Sequence, residues 1–381
     1  MSKKNIFILL CFIAFLGSFG ISYIFFSKTV AKKVSTPIPT ASSGEGMFDQ
    51  TLPKTEPCPL SGILYSKQQK DWWEKQRPLG IMIENHQEAR PQSGINSADV
   101  IYEAVAEGGI TRTLNVYYCQ APVQVGPVRS ARTYFLDFIS EYGDHPLYAH
   151  VGGANTSGPA DALGQIEDYG WGAYNDLNQF SIGFPTFWRD YNRLSHPAAT
   201  EHTMYSTTDK LWATAKSRGL TNVAKDGKAW TDGFVPYVFK EDSPSATTAA
   251  TLHIEFWGDS GYNTDWKYDP KTNTYLRNNG GVPHIDKDSG KQLTAKNIIV
   301  LFMVQRHAND GYEDNVHLLY TTKGTGKAVV YLDGKEIKAT WSKQSRTART
   351  KITDSAGAEI SFNRGKIWFE ILPIDGVASV K

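Results

Sequence analysis

A change of hydrophobic pattern near residue 230 constrains what this 381-residue chain can fold into. Over residues 57–220, buried-strand segments such as RPLGIMIEN (77–85) alternate with amphipathic helical segments such as SARTYFLDFISEYG (130–143). This alternation is typical of an α/β domain with helices packed on a sheet. Over residues 235–376 strand-like segments follow one another, and LDGKE is a tight-hairpin signal. The sequence therefore predicts an α/β amino-terminal domain and a β-rich carboxy-terminal domain.

The first residues predict where the protein resides. Lys3 and Lys4 precede an uncharged, mostly apolar run from Ile6 to Phe26, and Lys28 follows it. A helix of about 20 residues spans the ~30 Å of a bilayer core. A cleavable signal usually has an apolar stretch of only ~7–15 residues and a small-residue exit, and we find no convincing exit here. We expect one uncleaved transmembrane anchor at 6–26, with a cleaved signal as the alternative.

Residues 28–56, which follow the anchor, are rich in Pro, Thr, Ser and Gly and have almost no apolar periodicity. Such a composition predicts a flexible, disordered tether. Because a short amino-terminal tail precedes the anchor and a large body follows it, we expect a single-pass protein of the cell membrane with an extracytoplasmic body. Lys and Arg number 40 and Asp and Glu 39, so the net charge of +1 gives no overall attraction to nucleic acid.

The cysteines indicate one disulfide or none. Cys11 falls within the predicted anchor, which leaves Cys58 and Cys119 in the body. In an oxidising compartment these two form a disulfide, and two reduced thiols are the alternative. Neither has metal-ligand spacing, and HExxH, DxDxDG and GxSxG patterns are absent, so we predict no metal site and no cofactor and assign no catalytic residue.

Three glycine-containing loops carry arginines, in ARPQSG, GGITR and VGPVRSAR. Loops at the carboxyl ends of strands form the ligand clefts of open α/β sheets, and glycine lets the backbone approach a ligand closely. A guanidinium group binds phosphate or carboxylate through two hydrogen bonds. Ser130 lies near a predicted helix start, where unpaired N–H groups favour an anion. We expect Arg90, Arg112, Arg129 and Arg132 to clamp an anion in one cleft.

The alternative is that each arginine pairs with an acidic neighbour. The candidate carboxylates near these loops are those of Glu84, Asp99, Glu103 and Glu107. His150 stands close to a Gly-Gly pair at the end of a predicted strand and is a further candidate to line the cleft.

The same loops resemble a known family. The segments MIEN, ARPQSG, ADVIYE, EGGITR and VGPVRSAR, followed by HVGG and HTMY, closely resemble the YerB-like family of lipoprotein-type cell-envelope proteins. GGVPHIDKDSGKQLTAKNIIVLF and GKAVVYLDGKEIKATWSK resemble its carboxy-terminal companion domain. The resemblance covers roughly 57–375 and implies a membrane-tethered, extracytoplasmic protein of bacterial type, with no established activity. Its signature residues in this chain are Asn85, Arg90, Pro91, Ser93, Asp99, Glu103, Gly108, Gly109, Arg112, Gly126, Arg129, Ser130 and Arg132.

The chain departs from the family at two places. Glu84 stands where the resemblance implies Asp, and the amino end lacks the cysteine that would be lipid-modified. The second departure concerns how the chain is anchored and leaves the expected compartment unchanged.

These observations favour a binding or scaffolding protein whose cleft takes a cell-wall precursor or other envelope polymer, a lipid phosphate, or an acidic peptide of an envelope protein. The predicted ligand-binding residues are Asn85, Arg90, Ser93, Asp99, Glu103, Arg112, Arg129, Ser130, Arg132 and His150. One alternative is an envelope phosphotransferase acting on a lipid-pyrophosphate-linked polymer, with a divalent cation on Asp99. Another is a structural protein whose arginines form internal salt bridges. A deep apolar tunnel would favour the phosphotransferase, and a shallow cleft would favour binding.

Overall fold

The computed structural model describes residues 48–244 and 247–381. The predicted anchor at 6–26 and most of the predicted tether lie outside these residues. Within the described ranges, no helix is long and apolar enough to cross a membrane. The end of the predicted tether differs from the prediction: Lys54–Pro57 forms a strand that pairs with Leu64–Ser66. The turn between the two strands is closed by backbone hydrogen bonds between Cys58 and Ile63 and between Gly62 and Cys58, both 2.8 Å.

The helices of the described residues are short, and four of the five begin after a side chain that caps their free N–H groups. Ser66, Asp161, Asn178 and Thr207 each accept a hydrogen bond from a backbone N–H of the first turn. The helices are α1 Lys67–Trp73, α2 Thr133–Ile139, α3 Ala162–Asp168, α4 Gln179–Ile182 and α5 Thr208–Ser217.

Strands occur throughout the described residues and dominate their carboxy-terminal half. They are β1 Lys54–Pro57, β2 Leu64–Ser66, β3 Leu79–Glu84, β4 Val100–Glu107, β5 Ile110–Tyr117, β6 Leu147–His150, β7 Asp176–Asn178, β8 Trp188–Arg189, β9 Met204–Tyr205, β10 Phe239–Lys240, β11 Thr251–Glu255, β12 Thr264–Asp269, β13 Thr274–Asn279, β14 Val282–Pro283, β15 Thr294–Ala295, β16 Asn297–Met303, β17 Gln305–His307, β18 Leu318–Tyr320, β19 Gly324–Leu332, β20 Lys335–Lys343, β21 Lys351–Asp354, β22 Phe362–Asn363, β23 Ile367–Pro373 and β24 Val377–Val380.

One mixed sheet of ten strands runs through both halves of the chain, in the order β21-β20-β19-β16-β23-β4-β5-β3-β6-β7. The halves meet where β23 lies parallel to β4, with Ile367 opposite Val100 and Glu370 opposite Glu103. Strand β16 is buried along its whole length, as expected for a strand covered on both faces. The α/β character of the amino-terminal part and the β-rich character of the carboxy-terminal part are confirmed.

Aromatic side chains pack the layers onto the central sheet. On one face, Tyr102 of β4 stacks on Phe138 of α2 at 4.8 Å between ring centroids. A second sheet, in the order β14-β13-β12-β11-β24 with β15 beside β13, contacts the central sheet through Trp266 and Trp368, whose rings are 5.0 Å apart. The parallel strands β3, β6 and β7 lie together at one end of the central sheet, so their carboxyl ends share one edge.

Candidate functional site

Arg129 and Ser130 open into a cleft of about 600 Å³ at this shared edge of β3, β6 and β7. The loop after β6 and the end of β7 form its floor, as expected for ligand sites at strand carboxyl ends. We call this site the arginine cleft. Its lining residues are Arg129, Ser130, Val151, Gly152, Gly153, Asn155, Leu163, Asn178, Phe180, Arg189, Thr200, Glu201 and Met204.

The side chain of Arg129 is positioned by Glu84 at the end of β3. Arg129 Nε lies 3.1 Å from Glu84 Oε1, and the arginine side chain remains 25% exposed. The other oxygen of Glu84 is 2.8 Å from Nδ1 of the buried His202. Burial alone would raise the pKa of Glu84, but the bond from His202 and the charge of Arg129 outweigh burial and lower it. The bond to Glu84 raises the pKa of His202.

Arg112 and Arg132 lie behind the cleft wall and are buried. Both pair with Glu107: Arg112 Nη2 is 2.9 Å from one carboxylate oxygen, and Arg132 contacts the other. Arg112 also donates to the carbonyl oxygen of Ser130 at 3.3 Å. Burial lowers the pKa of both guanidinium groups. Three of the four predicted clamps therefore gather around Ser130. Each of the three pairs with an acidic neighbour, as the alternative interpretation anticipated, although Arg112 and Arg132 share the single carboxylate of Glu107.

Arg90 lies elsewhere, between the two halves of the chain. It donates to the carbonyl oxygens of Asn85 and Gly261, both at 2.9 Å, and its guanidinium group covers the ring of Tyr262. Asn85 in turn donates to Glu103 at 3.2 Å. Burial, with the charge of the nearby Arg277 second, lowers the pKa of Arg90 to about 10. The structure places Arg90, Asn85 and Glu103 in a buried polar network between the halves, outside the arginine cleft.

Asp99 is fully buried next to the disulfide that joins Cys58 to Cys119. It accepts hydrogen bonds from the backbone N–H groups of Tyr118 and Cys119, both at 2.9 Å, and from the hydroxyl of Ser61 at 3.1 Å. Burial raises its pKa to about 6. Asp99 therefore supports the packing around the disulfide and is not among the residues that line the cleft.

The remaining two predicted residues are both buried. Ser93 pairs through its backbone with Gly126, and its hydroxyl accepts from Arg193. His150 bridges the carbonyl oxygen of Gly152 and the carboxylate of Asp176, each at 2.6 Å. His150 therefore fixes the glycine loop from beneath the cleft without lining it.

Sequence reasoning missed several residues of the cleft. Arg189, Asn155 and Asn178 belong to no motif that we recognised, because they are placed by the folding of the chain between β6 and β9. His202 could have been found, since HTMY is one of the segments that carried the family resemblance. A larger cavity of about 830 Å³ lies beside α1 and Trp230, but none of the predicted residues lines it.

Comparisons with known proteins agree on one family. The model of the amino-terminal domain of DUF3048, described as a protein of unknown function, matches residues 60–221, and the model of its carboxy-terminal domain matches residues 252–369. "Putative lipoprotein YerB" of Bacillus subtilis is 27% identical over 326 residues, covering 85% of this chain and 88% of that protein. The crystal structure of YerB from Bacillus subtilis matches with a TM-score of 0.68 at 25% identity, covering 85% of this chain and all of that one. The resemblance found in the sequence is confirmed, and the chain belongs to the DUF3048 family.

Proposed function

We propose that the protein is an extracytoplasmic binding protein of the cell envelope, and that its arginine cleft takes an anionic glycan bearing phosphate or carboxylate groups. The observation that carries this proposal is the pair of guanidinium groups, Arg129 and Arg189, that line one open cleft with Ser130. The location rests on the lipoprotein name of the relative and on the predicted anchor at 6–26. The disulfide fits the same compartment, because disulfides persist where conditions are oxidising.

The charges of the cleft favour an anion. Arg189 is exposed, and its partners among the described residues are the carbonyl oxygen of Thr200 and the hydroxyl of Thr203, so no carboxylate neutralises it there. Arg129 shares its charge with Glu84 but keeps part of its side chain exposed. Glu201 is the carboxylate that lines the cleft, so the lining itself carries two guanidinium groups against one acid.

The neutral lining favours a glycan over a lipid. Asn155 and Asn178 line the cleft with amide groups, which can bond to sugar hydroxyls. The Asn178 oxygen accepts from the backbone N–H groups of Gly152 and Phe180, so this residue offers its NH2 group as a donor. Phe180 is 75% exposed at the cleft and offers a flat apolar face for a sugar ring. Gly152 has a φ of +58°, and a Cβ there would come within 2.9 Å of the Phe180 ring, so glycine lets the loop pack against the ring.

The phosphotransferase alternative is less well supported by these residues. That mechanism assigned a divalent cation to Asp99, whose carboxylate is enclosed beside the disulfide and bonded to two backbone N–H groups and a serine. A cation held there would not reach a phosphate in the arginine cleft. We therefore favour binding.

Binding can be measured by calorimetry on the full-length protein in detergent micelles. The probes are a glycerol-phosphate wall polymer, a carboxylate-bearing wall glycan fragment and a neutral chitooligosaccharide. We expect one of the two anionic probes to bind and the neutral one to bind at least about tenfold more weakly, because a charged hydrogen bond contributes ~1.5–3 kcal/mol. Arg129→Gln and Arg189→Gln should each weaken binding by about tenfold or more.

Arg306→Gln is the matched control, because Arg306 is exposed on β17, outside the cleft lining. It should bind like the unmodified protein. The proposal fails if neither anionic probe binds, or if the two cleft variants fold normally and bind as tightly as the control.

A further inference from the structure

We propose that His86, Glu88 and His202 bind a divalent metal ion of the zinc class. Each residue offers one ligand atom, and these atoms lie within 4.8 Å of one another. His86 and Glu88 belong to the turn that follows β3, and His202 ends the turn that precedes β9. Two histidines and one carboxylate form a ligand set that zinc accepts, with a fourth position left for water or a ligand oxygen.

The ring of His202 is already held in an orientation that suits a metal ligand. Its Nδ1 lies 2.8 Å from Glu84 Oε2, so a ring that donates its Nδ1 proton to this carboxylate directs the lone pair of Nε2 away from Glu84. Nε2 is 3.7 Å from Glu88 Oε2. Metal-bound histidines usually donate their other N–H to a carboxylate, which fixes the tautomer and makes the ring a stronger ligand. Glu84 is therefore a positioning residue for His202.

The side chains of His86 and Glu88 can move toward an ion bound at His202. The rings of His86 and His202 are stacked at 4.5 Å between centroids with a 9° angle, whereas the ligand atoms of tetrahedral zinc lie about 3.4 Å apart. Binding therefore requires His86 to tilt toward His202. This movement is open to it, because His86 is only partly buried and its Nδ1 accepts one long bond, 3.2 Å, from the backbone of Glu88. The Glu88 side chain is 55% exposed and can follow.

The surrounding charges favour a cation at this point. The carboxylates of Glu84, Glu88 and Glu201 act on the two rings, against the guanidinium groups of Arg90 and Arg129. The other candidate cluster among the described residues, Cys58, Asp99 and Cys119, is closed to metal because its sulfurs are bonded to each other.

None of the three proposed metal ligands lines the arginine cleft, although Glu84 contacts both His202 and Arg129. Metal binding is tested without any glycan, so failure of either proposal leaves the other untouched. The full-length protein is purified without a histidine tag in detergent, stripped with a chelator, and titrated with Zn²⁺ by calorimetry and with Co²⁺ by visible absorption. We expect one ion per chain and the intense visible bands of four-coordinate Co²⁺.

Variants locate the ion. His86→Ala and Glu88→Gln should each weaken Zn²⁺ binding by about 100-fold or more, and Glu84→Gln by roughly 10–100-fold, because it removes the carboxylate that orients His202. His196→Ala is the matched control, since His196 is an exposed histidine in the same segment of chain, and it should bind normally. Absence of stoichiometric Zn²⁺ binding overturns the inference. So does binding that His86→Ala and Glu88→Gln leave unchanged.

Discussion

One oxygen of the Glu84 carboxylate lies 2.8 Å from the ring of His202, and the second oxygen lies 3.1 Å from Arg129. A single buried side chain thus joins the arginine cleft to the proposed metal ligands. Glu84 is also the residue at which this chain departs from the Asp that the family resemblance implies. The longer side chain still places one oxygen on each partner.

Replacing Glu84 by glutamine should destabilise the protein by about 2 kcal/mol, because Arg129 and His202 lose the buried charge that they share. Urea unfolding near pH 6 measures the loss. Glu88→Gln, at an exposed neighbour, should change the free energy of unfolding by less than about 0.5 kcal/mol. Equal stability of the two variants would contradict the importance of the Glu84 contacts.

The same contact predicts a pH dependence. A raised pKa of His202 stabilises the fold fully below its unfolded value of about 6.5, and this contribution is lost as pH rises through the folded value. The lowered pKa of Glu84 has the opposite sign, so its contribution is lost as pH falls through that folded value. The stability difference between the unmodified protein and Glu84→Gln should therefore be largest near pH 6 and decrease toward pH 9. Urea titrations at several pH values check this, and a difference that grows toward pH 9 would contradict it.

The raised pKa of Asp99 predicts a second pH effect, at lower pH. Its pKa is raised by burial from its usual 3.8 to about 6 in the folded chain, so between these values the folded state holds a proton that the unfolded state has released. The free energy of unfolding should therefore fall as pH rises through this interval, by about 3 kcal/mol for a pKa shift of roughly two units. Asn can retain the bonds to Tyr118 and Cys119, so Asp99→Asn should gain stability relative to the unmodified protein as pH rises from 4 to 7. A constant difference between the two proteins across this range would show that Asp99 does not titrate there.

Local pattern predicted much of the fold, because each element carries its own periodicity. The segment 130–143 contains helix α2, and the segment 77–85 contains strand β3. The continuous sheet was not predicted, because the pairing of β23 with β4 joins segments far apart in the chain. The residue pattern of a strand does not indicate which other strand it pairs with. The continuity matters for stability, because neither half buries its edge of the sheet alone.

The candidate site was predicted only in part, because a local motif does not show which distant residues its side chains will contact. VGPVRSAR correctly directed attention to Arg129 and Ser130, which open into the cleft. The sequence could not separate these from Arg90, whose guanidinium group contacts the carbonyl oxygen of Gly261 in the other half of the chain. Whether an arginine faces solvent or a buried oxygen depends on tertiary packing, and the spacing of residues in a sequence motif does not reveal it.

The disulfide between Cys58 and Cys119 predicts a large effect of reduction. It closes a loop with a sequence separation of 61, and loss of such a constraint costs about 4 kcal/mol in the chain-entropy model. The Cys58→Ser/Cys119→Ser double variant should unfold at correspondingly lower urea concentration. Alkylation of the unfolded protein, followed by mass spectrometry, should count two more reactive thiols after reduction than before. An equal count would show that the bond does not form.

The contact between Arg277 of β13 and Glu103 of β4 leads to a prediction of how the two halves unfold. Arg277 is fully buried, with Nη2 2.5 Å from Glu103 Oε2, and its guanidinium group lies 4.8 Å from the centre of the Trp368 ring. Arg277→Met leaves the Glu103 carboxylate buried without its cation, which should cost about 3–5 kcal/mol. Arg306→Met, at an exposed position, should cost less than about 0.5 kcal/mol.

Because Arg277 ties the second sheet to a strand of the amino-terminal half, Arg277→Met should lower the midpoint of the whole transition. Tryptophan fluorescence and circular dichroism should report one coincident urea transition in both the variant and the unmodified protein, as for a single cooperative unit. Two separate transitions, of which only one responds to Arg277→Met, would contradict this expectation. They would mean that the halves fold independently and that the contact between Arg277 and Glu103 forms only when one half docks on the other.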